Sequence, residues 1–356
     1  AARRRGIPLL RRAELLGQLT QGHRVVGVTG THGKTTTTAM VGAVLEAAGA
    51  EVIVAPDGDE DTLIELARDV DAIMTCFAKV TGNVIRSAKN CVSIGRFGVG
   101  VDNIDVSTAS ELGIPVTYVP DYCVDEVSDH VLAMLHTWNR KIALFDRSVK
   151  SDGWGHLGLT MRIKRLRGKT IGIVGFGRIG QAVAEKAAVF GLNILASDPF
   201  TPKEIVESSG GKLVSLEELL ENSDFVSLHA PLTPNTEKMI GSEQFDLMRD
   251  DAFLINAARG PLIDEIALYE ALSEGKIGGA GLDVMVDNEP SRDHPLMQLE
   301  NILITPHTAF FSQESTLELE ERAASEVVKV YRNTMPENLV NPEVLEHPNP
   351  KRSLEN

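Results

Sequence analysis

Short apolar runs alternate with longer amphipathic stretches through the first third of the chain. Apolar runs occur at residues 25–28, 52–55, 72–74 and 92–94, and helical patterns lie between them at residues 34–48, 61–69 and 80–88. Strands that alternate with helices at this spacing form parallel sheets with helices on both faces. The pattern therefore predicts a doubly wound α/β sheet in this part of the chain.

A second series of the same kind begins near residue 168. Strands are predicted at residues 170–174, 193–197, 212–214, 225–228, 253–256, 279–284 and 302–305. Ser215 and Glu218 have the spacing of a capping box, which predicts a helix at residues 216–221. We therefore predict a second doubly wound parallel sheet. An amphipathic stretch at residues 126–149 is predicted to be one long helix that bridges the two sheets.

Composition and charge narrow the class of protein. A chain of 356 residues is long enough for two or three domains. The chain has 50 Asp and Glu residues against 35 Lys and Arg residues, and the net charge of -15 excludes general affinity for nucleic acid or for an anionic membrane. No run of about 18 apolar residues occurs, so no transmembrane helix is predicted. The three cysteines indicate neither a disulfide framework nor a zinc site, so we predict no metal and a cytoplasmic protein.

A glycine motif directly follows the first strand of the second series. Gly175, Gly177 and Gly180 form G-x-G-x-x-G between a strand and a helix, where glycines allow a tight turn, close approach of a pyrophosphate and close helix packing. Asp198 ends the next strand, where its carboxylate can accept hydrogen bonds from ribose hydroxyls and repel a 2'-phosphate. We therefore predict NAD rather than NADP as the cofactor. The alternative is a structural glycine turn with a surface aspartate.

Three further segments follow strands of the same predicted sheet. Arg259 comes just after one strand, Asp283 and Glu289 follow the next, and His307 follows the last. Ligands of open parallel sheets bind at the carboxyl ends of strands, so these side chains can converge. Reduction of a 2-keto acid by a nicotinamide needs a proton donor, which histidine can be, and a cation for the carboxylate, which arginine suits. The alternatives are a structural arginine in a turn, a hydrogen-bonded loop histidine and a surface acid.

Longer motifs carry a family resemblance. They are RFGVGVDNID at residues 96–105, PDYCVDEVSDH at 120–130 and TPHTAFFS at 305–312. Residues 51–344 resemble the D-isomer-specific 2-hydroxyacid dehydrogenases, most of all the C-terminal-binding-protein-like branch. The resemblance implies an enzyme that interconverts 2-keto and D-2-hydroxy acids with NAD, and we expect a homodimer.

The resemblance also implies roles for individual residues. Arg259 would bind and polarise the substrate, His307 would be the general acid and base, and Glu289 would pair with His307. The substrate carboxylate would meet Arg96, Gly98 and Val99. The remaining residues implied to contact the cofactor are Arg178 and Ile179 at the pyrophosphate, His229, Pro231, Asn235 and Thr236 on the adenine and ribose side, and Ala257 and Asp283 near the nicotinamide.

One departure from the family affects Glu289. The spacing from Asp283 to Glu289 is one residue longer than the family spacing, although Glu289 still precedes Pro290. Asp287 is therefore an alternative partner for His307.

The amino-terminal residues resemble a different family. GIPLLRR at residues 6–12 and GTHGKTTTT at 30–38 resemble the start of Mur ligases, above all UDP-N-acetylmuramate-alanine ligase. There Lys34 would contact phosphate and Thr35 magnesium. Ligase activity is not expected, because nothing downstream resembles the rest of such a catalytic centre. The arginine-rich start is also compatible with a transit peptide. The junction between the Mur-like segment and the dehydrogenase-like segment is compatible with a natural fusion, a sequence-assembly artefact or a deliberate chimera.

These resemblances together imply a domain organisation. We expect a basic extension at residues 1–24, a discontinuous substrate-binding domain at 25–122 and 308–344, an NAD-binding Rossmann domain at 123–307, and a tail at 345–356. Residues 341–356 carry three prolines and look disordered. Residues 25–49 would replace the first strand and helix of the substrate-binding domain. Active sites of the family form in the cleft between the two domains. A protein that only senses NAD(H) and assembles with a partner, and an ATP-binding ligase-like protein, are the alternative functions.

Overall fold

The computed structural model describes residues 24–28, 51–154, 163–348 and 350–354. The chain divides into two compact units. The first combines residues up to Tyr122 with residues from Ser312 onward, and the second spans Cys123–Phe311. The predicted helix at 34–48, with Lys34 and Thr35, lies outside the described residues, and so do residues 1–23 of the basic extension predicted at 1–24. Arg24 begins the first strand.

The first unit contains a five-stranded parallel sheet with the strand order β2-β1-β3-β4-β5. Its strands are β1 (Arg24–Val28), β2 (Glu51–Val54), β3 (Ala72–Thr75), β4 (Ser93–Arg96) and β5 (Val116–Thr117), and its first helices are α1 (Glu60–Ala67), α2 (Gly82–Ser87) and α3 (Val106–Glu111). Strand β1 is hydrogen-bonded to both β2 and β3, with Val25 opposite Val52 and Ala72. Strand β1 therefore lies between β2 and β3 in one sheet, as expected for a first strand of this unit.

The second unit contains a seven-stranded parallel sheet with the order β12-β11-β10-β9-β6-β7-β8. The strands are β6 (Thr170–Val174), β7 (Asn193–Ser197), β8 (Gly211–Leu213), β9 (Phe225–Leu228), β10 (Phe253–Asn256), β11 (Gly279–Leu282) and β12 (Ile302–Ile304). The helices are α4 (Val124–Arg140), α5 (Ile142–Asp152), α6 (Arg178–Val189), α7 (Lys203–Ser208), α8 (Leu216–Asn222), α9 (Ser242–Leu247) and α10 (Glu265–Ser273). The predicted α/β architecture with parallel sheets is confirmed. Ser215 caps α8 by accepting a hydrogen bond from the Glu218 N–H at 3.1 Å.

The prediction of one bridging helix at residues 126–149 is wrong. The helix is interrupted at Lys141, which has a left-handed backbone with φ of 56°, and both helices lie in the second unit. The Lys141 ammonium lies 3.4 Å from the centroid of the Trp138 ring, and Trp138 stacks on Phe253. This contact fixes the break, because a cation over an indole face is attracted by the ring.

The carboxyl-terminal residues return to the first unit. Helix α11 (Gln313–Tyr331) packs against β4 and β5, and a short 3₁₀ helix follows at Pro342–Glu346. Lys351 donates its backbone N–H to the Gly113 carbonyl at 2.9 Å, and Arg352 lies over the Tyr331 ring. The prediction of a disordered tail is therefore wrong for residues 341–348 and 350–354, because backbone and cation–π contacts far apart in sequence hold them.

Among the helices formed by the described residues, none combines the length and apolar character needed to cross a membrane.

Candidate active site at the carboxyl edge of the second sheet

The strands of the second sheet end in register. Val174 lies opposite both Ser197 and Leu228, Asn256 lies opposite both Leu228 and Leu282, and Leu282 lies opposite Ile304. The residues that follow these ends therefore lie along one edge of the sheet. They are Gly175, Asp198, His229, Ala257, Asp283 and Thr305.

The glycine turn leaves room for a pyrophosphate. Gly175 has φ of +90°, and a Cβ there would lie 2.6 Å from the Ala230 nitrogen. A Cβ on Gly180 would lie 2.3 Å from the Gly175 oxygen, so helix α6 packs closely on the turn. A Cβ on Gly177, in contrast, would meet no atom within 4 Å. Arg178 and Ile179 open α6 here, where free N–H groups and the helix dipole favour an anion. The turn therefore fits a dinucleotide.

Asp198 holds the glycine turn against the next loop. Its carboxylate accepts hydrogen bonds from the N–H groups of Phe176 (2.7 Å), Phe200 (2.8 Å) and Thr201 (3.0 Å). Burial opposes ionisation, but these N–H groups outweigh it and lower the pKa of Asp198 below its ordinary value. A negative charge therefore stands where the sequence predicts a ribose contact.

The segment after β9 carries the other residues predicted to flank the adenine and ribose. The Nε2 atom of His229 lies 2.8 Å from the Ser227 hydroxyl, and burial lowers the pKa of His229 to about 4. The ring is therefore neutral near pH 7. Pro231 and Asn235 are exposed, and the Thr236 hydroxyl closes their loop by donating to the Pro231 carbonyl at 2.6 Å.

A buried asparagine braces the turn that carries Arg259. Asn256 is fully buried; its Nδ2 donates to the Arg259 carbonyl at 2.8 Å, and its Oδ1 accepts from the Ala258 N–H at 3.0 Å. A Cβ on Gly260 would lie 2.1 Å from the Met285 carbonyl carbon. The Arg259 turn therefore lies directly against the segment that follows Asp283.

Asp283 organises the loop that carries His307. Its side chain is almost fully buried, and its carboxylate accepts hydrogen bonds from the Thr305 hydroxyl (2.6 Å) and from the N–H groups of Thr308 and Ala309 (both 2.9 Å). Its carbonyl accepts from the His307 N–H at 2.8 Å. His307 itself has a left-handed backbone with φ of 53°. The sequence assigned Asp283 only to the nicotinamide and did not predict that its carboxylate holds the loop around His307.

The predicted pair between Glu289 and His307 is not formed in this structure. Glu289 is exposed, and its N–H donates to the Asp287 side chain at 2.9 Å. Among the described residues, no ion pair or hydrogen bond links Glu289 to His307. The physical reason is local. The Asp287 side chain forms a tight turn with the Glu289 N–H in this longer segment, and the Val286 N–H donates to the Glu265 carboxylate at 2.7 Å.

The residues predicted to meet the substrate carboxylate cluster in the first unit. Arg96 ends β4, is 6% exposed and donates from Nε to the Gly100 carbonyl at 2.8 Å and from Nη1 to the Phe97 carbonyl. Gly98 has φ of +140°, and a Cβ there would lie 2.8 Å from Nη1 of Arg96. Residues other than glycine rarely adopt this φ, so the backbone conformation favours glycine at position 98, and Val99 follows it directly.

One residue that sequence reasoning left without a role also reaches the candidate site. The Nε2 atom of His130, in α4, lies 2.9 Å from the Thr305 hydroxyl. The signal available in the sequence was a histidine within the PDYCVDEVSDH motif, which does not reveal its partner.

Comparison with known proteins identifies the family. The sequence model of the D-isomer specific 2-hydroxyacid dehydrogenase NAD binding domain matches residues 132–309. The chain belongs to this family. Residues 132–309 are therefore its NAD-binding domain, and the prediction of NAD as the cofactor is confirmed.

Individual relatives agree with the family match. The chain is 43% identical over 302 residues to a D-3-phosphoglycerate dehydrogenase of Methanocaldococcus jannaschii, covering 84% of this chain and 56% of that protein. It is 40% identical over 286 residues to a glyoxylate reductase of Korarchaeum cryptofilum, and the match covers 80% of this chain and 86% of that protein. The structure of Aquifex aeolicus D-lactate dehydrogenase with NAD and lactic acid matches with a TM-score of 0.79 and 28% identity. The match covers 88% of this chain and 98% of that chain. The chain thus spans little more than half the length of the phosphoglycerate dehydrogenase.

Proposed function

We propose that this protein is an NAD-dependent oxidoreductase that interconverts a 2-keto acid and a D-2-hydroxy acid. The observation that carries the proposal is the buried Asp283, which ties the His307 loop to the same sheet edge as the dinucleotide turn and the Arg259 turn. A proton-transferring side chain and a cation beside a dinucleotide site are what hydride transfer to a carbonyl requires.

The proposed roles follow the chemistry of each side chain. Bound NADH supplies the hydride. Arg259 holds the substrate and polarises its carbonyl, and His307 donates a proton to the carbonyl oxygen. Arg96, with the backbone at Gly98 and Val99, receives the substrate carboxylate.

Glu289 is proposed to approach His307 when substrate binds. Its exposed turn contains no buried apolar anchor at residues 286–289, so the segment can rearrange at low cost. Catalytic hydrogen bonds often form only in the substrate complex. A carboxylate there favours the imidazolium form of His307 and prepares it to donate a proton.

The names of the relatives limit the substrate class. One is named for glyoxylate, one for 3-phosphoglycerate and one for D-lactate. All are 2-keto or 2-hydroxy acids, so they share the carboxylate that Arg96 is proposed to receive. We therefore propose a small 2-keto acid as substrate. The C-terminal-binding-protein-like branch is a finer proposal that rests on the sequence motifs, and a cytoplasmic location is one that rests on the cysteine content.

A homodimer is proposed from helix α5. None of its residues is buried, although Ile142, Phe145 and Val149 form an apolar stripe at helical spacing. A cavity of about 190 Å³, lined in part by Trp138 and Leu144, lies beside the start of this helix. An apolar stripe beside a cavity fits a second copy of the chain in a two-fold interface.

A screen of NADH oxidation tests the proposed activity. Purified protein is mixed with NADH and with glyoxylate, hydroxypyruvate, pyruvate or 3-phosphohydroxypyruvate in turn, and the chirality of the product is determined. We expect turnover of at least one acid, with a D-product wherever the product is chiral. Tight NADH binding without turnover of any acid would instead favour a protein that only senses the dinucleotide.

A further inference from the structure

A chain of hydrogen bonds runs from helix α4 to the buried carboxylate behind the His307 loop. His130 Nε2 lies 2.9 Å from Thr305 Oγ1, and Thr305 Oγ1 lies 2.6 Å from Asp283 Oδ1. His130 Nε2 is 3.7 Å from the same carboxylate oxygen. Neither His130 nor Thr305 has a role in the proposed reaction so far.

The proton positions along this chain are determined by its acceptor end. The Asp283 carboxylate accepts hydrogen bonds from the backbone N–H groups of Thr308 and Ala309. It also accepts one from the Thr305 hydroxyl, which has a single hydrogen to donate. The Thr305 oxygen can then only accept from His130. The proton of a neutral His130 ring is therefore on Nε2, and the chain runs in one direction from His130 through Thr305 to Asp283.

The carboxylate at the end of the chain controls the backbone around His307. The carboxylate oxygens accept hydrogen bonds from the N–H groups of the two residues after His307, and the main-chain carbonyl of Asp283 accepts one from the His307 N–H. His307 is held in the left-handed region, which residues other than glycine rarely adopt and which persists only when neighbouring contacts enforce it. A rotation of the Asp283 side chain would release both following N–H groups.

We infer that His130 is a positioning residue for the proposed reaction, because its Nε2–H locks the Thr305 hydroxyl onto Asp283 and so holds the His307 loop in its reactive geometry. The inference rests on the proposed function for His307. It adds a residue of helix α4 to the machinery without placing it in contact with substrate.

Matched variants separate this role from simple packing. His130→Leu removes the donor at similar volume, whereas His130→Gln keeps an N–H near the position of Nε2. With NADH and the best 2-keto acid from the screen, His130→Leu should lower kcat about tenfold, as expected for a small misplacement of a reacting group. NADH affinity should stay within about twofold, and His130→Gln should recover most of kcat. Equal losses in the Leu and Gln variants, or no loss in the Leu variant, would overturn the inference.

Thr305 provides a second, independent arm. Thr305→Val should lower kcat as His130→Leu does, Thr305→Ser should retain activity, and the double variant His130→Leu/Thr305→Val should be no worse than Thr305→Val alone. Additive losses would show that the two residues act separately, and the inference would be wrong. If a His130 variant fails to fold, the Thr305 variants still test the inferred chain of hydrogen bonds.

A readout without turnover distinguishes this inference from the proposed function. In the wild-type protein, nitrogen NMR of the His130 ring should show a proton on Nε2, and hydrogen exchange at the Ala309 N–H should accelerate in Thr305→Val. Absence of wild-type turnover on every 2-keto acid would remove the proposed function and leave these two signals in place. A ring whose only proton is on Nδ1 would contradict the chain of hydrogen bonds itself.

Discussion

At the scale of single residues, the glycines of the dinucleotide turn have separable roles. Gly175 has a positive φ and lies against the backbone of Ala230, whereas Gly177 has ordinary φ and faces open space. Gly175 is therefore expected to matter for the fold, and Gly177 for binding of the dinucleotide. The two can therefore be tested against each other.

Gly177→Ala should weaken NADH binding about tenfold or more with only a small change in Tm, because the added Cβ meets no protein atom and projects into the space proposed for the pyrophosphate. Gly175→Ala is the matched control. It should lower Tm clearly, because a left-handed backbone and a contact of 2.6 Å both disfavour a side chain. Thermal unfolding and NADH titration measure the two effects. Unchanged NADH affinity in Gly177→Ala would show that the pyrophosphate lies elsewhere.

At the residue scale, the sequence predicted the conformation of the glycine turn, because that conformation is local. The spacing of Gly175, Gly177 and Gly180 determines a turn within six residues, and the structure gives each glycine the environment that the spacing predicts. Glu289 shows the opposite case. Its partner depends on how a longer segment folds, and the Asp287 side chain takes its backbone N–H in a local turn.

At the scale of elements, periodicity predicted strands and helices but not the break between α4 and α5. The apolar pattern continues through Lys141, so the sequence indicates one helix. The break depends on a left-handed lysine whose ammonium lies on Trp138, and Trp138 in turn stacks on Phe253 in β10. A contact between residues 115 positions apart cannot be inferred from local polarity.

The double substitution Ile142→Asp/Val149→Asp should convert the proposed homodimer into a monomer, because two charges in an apolar interface lose their hydration. Ile266→Asp is the control, since Ile266 on α10 is more exposed (72%) than Ile142 (54%) or Val149 (41%) and lies off the α5 stripe. Light scattering after size-exclusion chromatography gives the mass. A monomeric wild type, or a double variant that remains dimeric, would contradict the proposed interface.

At the scale of the whole molecule, the alternation of strands and helices predicted two parallel sheets, and the motif clusters predicted the family. Both are confirmed. The carboxyl-terminal residues were predicted wrongly, because their prolines and charges resemble a disordered tail while their contacts lie on Gly113, Lys89 and Tyr331. Such pairings become visible only once the fold brings distant segments together.

The net charge of the chain contrasts with the groups proposed to bind anions. A net charge of -15 would repel dinucleotide and keto acid alike. The proposed anion contacts are therefore local ones: the amino end of α6, Arg259 in the second unit, and Arg96 in the first. Net charge is a property of the chain, whereas substrate binding depends on a few oriented groups.

The central claim is that His307 transfers the proton in an NADH-dependent reduction, and His307→Asn tests it most directly. Asparagine tolerates the left-handed backbone that His307 adopts, so the loop should keep its shape while the proton donor is lost. In a single assay of NADH oxidation at saturating NADH and 2-keto acid, kcat should fall by about 10²-fold or more, with NADH affinity within about twofold of the wild type. A variant that turns over at a rate close to that of the wild type would contradict the account.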